Sequence, residues 1–294
     1  MKIFTIVKNE KDVVECWVHY HAKLAGGYTN IHVIDNESTD GTFELLKEIA
    51  QKHRIYLYSK SDYTKKGEYM TALYRKWCAP GEIGLPIDID EFVVYYDRKS
   101  PHRVISCDPI AIHSHLSAIA GVIDPRTNMP VSMFKMNYIQ SIIPPDVPDG
   151  YENAVQHTQY GYYDDQRGFA KTGFVGGRFQ GVIDHGNHCF TSSMYLVSNL
   201  CLVHYHARNL PQMLSKIYCN VAGLGYPVDD SEALIPYSTI HTPGYHHVRN
   251  QQQVLQGTYR LPTREHSAAT DIDLTPLCKF VDDNPLLFPT SSTH

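Results

Sequence analysis

The chain has 294 residues, 43% of them hydrophobic and 19% charged, which is enough to bury one large core or two small ones. Its 31 acidic and 26 basic side chains leave a net charge of -5, the wrong sign for a protein that binds by neutralising a phosphate backbone, so composition argues against nucleic acid as a partner. Seven cysteines at 16, 78, 107, 189, 201, 219 and 278 form no Cys-x-x-Cys pair and are odd in number, which points to reduced thiols rather than a disulfide framework.

The first element is a short apolar strand, Ile3 to Val7. No basic, apolar leader precedes it, so neither a cleaved signal nor a transmembrane segment is expected, and the protein is expected to be soluble and cytoplasmic. After Lys8-Asn9-Glu10, the positions Val13, Val14, Trp17, Val18, His21 and Leu24 recur at helical spacing until Gly26-Gly27. Ile31 to Ile34 reads as a second buried strand ending at Asp35. Ser38-Thr39-Asp40-Gly41 then starts a helix with Phe43, Leu46, Ile49 and Ala50 inward. Ile55 to Tyr58 is a third strand. A third helix carries Tyr69, Met70, Leu73, Tyr74 and Trp77 and ends near Pro80-Gly81, and Ile83 to Ile89 is a fourth strand, weakened by Gly84 and Pro86. This βαβαβαβ order predicts an α/β fold with a mostly parallel central sheet flanked by helices. Ligands then bind at the carboxyl ends of the strands, where Asn9, Asp35 and Asp90 all fall.

Farther on the alternation is lost. Val131 to Ile139, Phe169 to Ile183 and Met194 to Tyr205 read as strands between Pro-, Gly- and Asp-rich loops, a mixed region. Asn209-Leu210-Pro211 opens a helix with Leu210, Met213, Leu214, Ile217, Tyr218 and Val221 on one face, closed by Gly223 and Gly225.

The chemistry concentrates at Asp88-Ile89-Asp90-Glu91. Alternation along a strand turns Asp88 and Asp90 to one side, where two carboxylates can hold Mn2+ or Mg2+ and so bind a diphosphate; a solvated strand end is the plainer reading. Lys65-Lys66-Gly67-Glu68 opens the preceding helix, where Lys66 can meet phosphate or simply face water.

With Lys8-Asn9-Glu10, Asp35-Asn36-Glu37-Ser38-Thr39-Asp40-Gly41-Thr42, Ile87-Asp88-Ile89-Asp90-Glu91-Phe92 and His204-Tyr205-His206-Ala207-Arg208-Asn209, the chain resembles family 2-like glycosyltransferases of the GT-A fold. The resemblance implies a nucleotide-sugar donor, with UDP first, and a carbohydrate or glycan acceptor. Residues 1–95 would bind the nucleotide, 96–250 would bind the acceptor and complete the metal site, and 251–294 would form a loosely packed tail. Asp35 would bond the base or ribose beside Val7, Lys8 and Asn9, with an Asx turn as its competing role. Asp88 would face the ribose or the metal, Asp90 would ligate the metal, and Glu91 would orient its neighbours or cap the next segment. His204, aligned with the family's late His-Tyr element, would complete the metal site, and His206 shares its strand face. An enzyme of this kind without an anchor suggests bacterial-type or viral origin.

Inverting transfer needs a general base; Asp184 and His185 are the first candidates, then Asp164 or Asp165. Tyr138, Tyr151, Tyr160, Tyr162 and Tyr163 are candidates to stack on acceptor sugars, and the loop 143–150 is a candidate lid. Two rival functions remain, a metal-dependent phosphoesterase and a non-catalytic carbohydrate-binding protein.

Overall fold

The computed structural model describes residues 1–125, 127–143, 154–164, 171–187, 196–238, 245–268 and 270–282. Tyr151, Asp165, most of the expected lid and the chain end after 282 lie outside the described residues. Among the described residues no helix is long and apolar enough to cross a membrane. The chain divides into two compact units, one comprising residues 1–142, 155–206 and 266–294, the other 143–154 and 207–265.

The first unit begins as its periodicity requires. Strand β1 (Lys2–Val7) is apolar on both faces and buried from Ile3 onward. Helix α1 (Lys11–Ala25) buries Val13, Val14, Trp17, Val18, His21 and Leu24, and ends where Gly26 adopts a left-handed φ of 79° that a side chain would strain. β2 (Ile31–Asp35), α2 (Thr42–His53), β3 (Tyr56–Ser59), α3 (Lys66–Trp77) and β4 (Ile83–Pro86) follow. The four strands are parallel in the order β3-β2-β1-β4. The chain steps outward from β1 to β3 and then returns to the other side of β1, so the carboxyl ends of β1 and β4 flank a topological switch point, the place where open α/β sheets bind ligands.

The rest extends this sheet with mostly antiparallel pairings. The elements are β5 (Glu91–Tyr95), α4 (Pro109–Ala120), the small hairpin β6 (Ile123–Asp124) and β7 (Met129–Pro130), β8 (Met133–Ser141), α5 (Ala154–His157), β9 (Tyr160–Asp164), β10 (Lys171–Val175) and β11 (Leu196–His204). β10 joins β4 to β8, β8 continues to β9, and β11 runs parallel to β8 while pairing antiparallel with β5. The stretch expected as one strand from Phe169 to Ile183 is a strand only to Val175 and then turns at 176–178.

The second unit is helical: α6 (Leu210–Gly223), α7 (Ile235–Ser238) and α8 (Tyr245–Leu255). The side chain of Asn209 caps α6 by accepting the Gln212 amide at 2.8 Å, and Met213, Ile217 and Val221 are its buried stripe. Residues 251–282, expected as a tail, carry the end of α8, then β12 (Asp271–Asp273) paired with β9, and α9 (Thr275–Asp282) with Leu277 and Val281 buried. Short apolar segments among polar ones were too brief to show a period there.

Candidate functional site

The acidic motif forms a turn instead of a strand end. β4 stops at Pro86, and the Glu91 amide donates to the Asp88 carbonyl at 3.1 Å, closing a turn from which β5 departs. The Glu91 carboxylate accepts the Asp88 amide at 2.8 Å from below, and the indole of Trp17 donates to the carbonyls of Asp88 (3.1 Å) and Glu91 (2.9 Å). Strand alternation therefore does not operate across Asp88 and Asp90. The turn sends their carboxylates to different companions.

Asp88 goes to the lysines. Its Oδ1 accepts from Lys66 Nζ at 2.7 Å and Asn187 Nδ2 at 3.0 Å, and its Oδ2 accepts from Lys171 Nζ at 2.6 Å. Both ammonium groups are nearly inaccessible, whereas the Asp88 side chain retains 32% of its exposure. Lys171 also donates to the Gly186 carbonyl at 2.8 Å and lies 3.6 Å from Glu91. Burial disfavours every charge here. For Asp88 it is outweighed by Lys171 and Lys66, which hold the carboxyl well below the usual carboxylate range. Lys171 likewise keeps its proton against burial because Asp88 and Glu91 surround it, and Lys66 because of Asp88. Glu91 is pushed up by burial, which Lys171 only partly offsets.

Asp90 goes to the imidazoles. Its Oδ2 lies 3.4 Å from His204 Nε2 and 4.0 Å from His206 Nδ1, and the Tyr205 amide between them donates to the Asp90 carbonyl at 2.8 Å. One ligand atom from each of Asp90, His204 and His206 falls within 4.8 Å of the others, the one such cluster among the described residues. Ligands about 2.1 Å from a shared cation sit about 3 to 4 Å apart, so small side-chain shifts would let this donor set close on one. Asp88, expected as a second carboxylate ligand, is not in the cluster because the lysines occupy its oxygens.

The nucleoside-side candidates line the neighbouring strand ends. Asp35 ends β2 almost fully buried; its Oδ2 accepts the Ser38 amide at 3.2 Å, the expected Asx turn, while Oδ1 has no hydrogen-bond partner among the described residues. A buried carboxylate oxygen without a donor is costly, so this atom would gain from an N–H or O–H brought to it. Val7 is buried beside it and Lys8 is exposed. Asn9 adopts a left-handed φ of 55° and accepts the Thr39 amide at 2.7 Å, tying the loop after β1 to the loop after β2.

Asp184 and His185 lie on the lysine side. Their turn crosses the start of α3 so closely that a Cβ on Gly67 would meet the Ile183 carbonyl at 2.5 Å. The Asp184 carboxylate accepts the Gly186 amide at 2.9 Å, His185 is only partly covered, its ring edge-on to Tyr63, and that partial burial together with Lys66 lowers its imidazole pKa. From the sequence, Lys171 in Ala170-Lys171-Thr172-Gly173 reads equally as a residue resembling a family lysine of uncertain role or as a solvated strand residue, and Trp17, Asn187 and Gln140 have no expected part in the site. The contact of Lys171 with Asp88 depends on β10 lying beside β4.

No protein-family model and no curated protein matches the chain. Among solved structures it is similar to the mannosyltransferase PcManGT from Pyrobaculum calidifontis in complex with GDP-Man and Mn2+, at 18% identity and a TM-score of 0.32 over 49% of this chain and 35% of that one. It is similar to S. aureus TarS at 11% identity and a TM-score of 0.37, over 90% of this chain and 44% of that one. For TarS 1-349 in complex with UDP-GlcNAc the values are 10% and 0.36, over 86% and 73%. The chain thus spans less than half the length of the first two.

Proposed function

We propose that this chain is a metal-dependent glycosyltransferase that moves a sugar, with inversion, from a nucleoside diphosphate donor, UDP first, to a carbohydrate hydroxyl. One observation carries the reading. At the switch point of the parallel sheet, a single turn presents a buried lysine pair on one side and a carboxylate with two imidazoles on the other. A sugar nucleotide needs both, since its diphosphate is met by fixed cations and by a divalent metal.

In this reading the free Oδ1 of Asp35 accepts an N–H or O–H of the nucleoside, beside Val7, Lys8 and Asn9. Lys66 and Lys171, buried behind Asp88, supply fixed positive charge near the diphosphate, and Asp88, the more exposed group, is their counter-ion and bridges toward the ribose. Asp90, His204 and His206 hold the cation. When bound there, a divalent ion neutralises charge growing on the departing diphosphate. One carboxylate with two imidazoles suits Mn2+ better than Mg2+, which prefers oxygen ligands. In-line attack requires a base across the anomeric carbon from the leaving group, so the lysine-side position of Asp184 and His185 suits them to donor contacts more than to the base role first expected.

Thermal-shift measurements with a panel of UDP- and GDP-sugars test the proposal. A rise in melting temperature of several degrees with one donor, dependent on Mn2+, is expected, because a ligand of the native state alone raises apparent stability. No response to any sugar nucleotide at millimolar concentration with Mn2+ would refute it. The Asp/His triad by itself also suits a metal-dependent phosphoesterase; hydrolysis of bis(p-nitrophenyl) phosphate without nucleotide-sugar binding would select that alternative.

A further inference from the structure

A second line of polar side chains runs away from the imidazole side of the turn. The ring of His204 on β11 presents Nδ1 to Gln140 Oε1 on β8 at 3.1 Å, and Gln140 Nε2 donates to Asp164 Oδ2 on β9 at 3.2 Å. His204 pairs directly with Gln140 across the parallel strands. Asp164 sits opposite Tyr138, two residues from Gln140 on β8, so all three side chains share one face of the sheet. Gln140 is 7% exposed, leaving little water to replace either bond.

The chemistry of these groups fixes the order of their protons. An ionised carboxylate only accepts hydrogen bonds, so Asp164 selects the NH2 end of the Gln140 amide. The oxygen end is thereby turned to His204, where only an N–H can meet it. Nδ1 then carries the proton, and in the neutral ring the lone pair belongs to Nε2, the atom 3.4 Å from Asp90. Two acceptors converging at that distance repel one another unless a cation or a proton lies between them.

We propose that Gln140 and Asp164 are positioning residues that preset His204 in the Nδ1–H tautomer, with Nε2 directed at a divalent cation that neither residue touches. The inference rests on the metal reading of Asp90, His204 and His206, and it gives Asp164, first considered as a general base, a different task. A neutral amide is suited to this place because it orients the ring without adding charge to the site.

Long-range 1H–15N spectra of the metal-free protein at alkaline pH, where imidazoles are neutral, report the His204 tautomer directly. The wild-type protein is expected to show Nδ1–H. Gln140→Leu should shift the ring toward Nε2–H and weaken Mn2+ binding in calorimetry by about 10- to 100-fold, the usual effect of removing an outer partner of a ligand. The double variant Gln140→Glu/Asp164→Asn keeps the shapes and still presents an acceptor to Nδ1–H, the bond between positions 140 and 164 reversing so that the amide on β9 donates to the carboxylate on β8, and should return both readouts toward wild type. An Nε2–H ring in the wild-type protein, or unchanged Mn2+ affinity in Gln140→Leu, would overturn the proposal. The wild-type spectrum decides even where a variant fails to fold. Wild-type protein with the Nδ1–H ring and no Mn2+ affinity would instead sink the metal reading.

Discussion

One residue separates Asp88 from Asp90, yet the two sides of their turn are built on opposite plans. On the lysine side every partner is a buried group whose charge is fixed by its neighbours, and the carboxylate is already saturated by two ammoniums and an amide. On the imidazole side the carboxylate of Asp90 meets His204 and His206, whose ring nitrogens, unlike an ammonium, are able to ligate a metal. A tight turn achieves this where a strand could not, because it aims successive acidic side chains at different elements. The lesson is that an Asp-x-Asp pattern specifies two carboxylates without specifying one shared ligand.

Removing a lysine should break the fixed side most severely. Lys171→Met leaves buried Glu91 without a cation and Asp88 with Lys66 alone, and such a broken pair costs about 3 to 5 kcal/mol, readable by urea denaturation. A loss below about 1 kcal/mol would mean that the lysine side is not the structural one. Asp90→Ala should act the other way: Mn2+ affinity falls by more than about 100-fold, near 3 kcal/mol, while metal-free stability changes far less than in Lys171→Met. If calorimetry finds Mn2+ still bound, the division between the two sides fails.

The third and smallest effect at neutral pH concerns the scaffold behind both sides. His21 packs at a tilt against Trp17, with ring centroids 4.3 Å apart, bonds the Trp17 carbonyl through Nδ1 at 2.9 Å, and accepts the Val93 amide at Nε2 at 3.3 Å. Burial pushes its pKa from 6.5 down to about 3, outweighing the opposite pull of the Trp17 carbonyl. The unfolded chain therefore takes up a proton that the folded chain refuses between those values. Stability is fully present above about pH 6.5 and declines as pH falls toward 3; in His21→Gln, equilibrium unfolding measured across that window should show a shallower decline.

Much of the first half could be read locally. The apolar spacing that put Val13, Trp17 and His21 on one helix face, and the short buried runs at β1 and β2, depend on neighbours a few residues away, so their periods are visible in the chain. The same holds for Asn9 after β1 and Asp35 at the end of β2; Asp90, expected at a strand end, lies instead in the turn after β4, and His206, expected on one strand face with His204, lies just past the end of β11. What could not be read depends on pairings between distant segments. Lys171 reaches Asp88 only because β10 lies antiparallel beside β4, and Gln140 reaches His204 only because β8 and β11 run parallel in one register. The turn at Asp88 to Glu91, braced by an indole more than seventy residues earlier, is of the same kind.

By itself, then, the order of residues determined the four-strand parallel block, the helix boundaries at Gly26 and Asn209, and which acidic and imidazole side chains would gather at one sheet edge. Tertiary structure decided how those groups divide: which carboxylate meets lysines and which meets imidazoles. Hydrophobic period is a property of a segment, whereas the company of a buried charge is set by whichever segments pack around it, and that is settled only when the sheet is assembled.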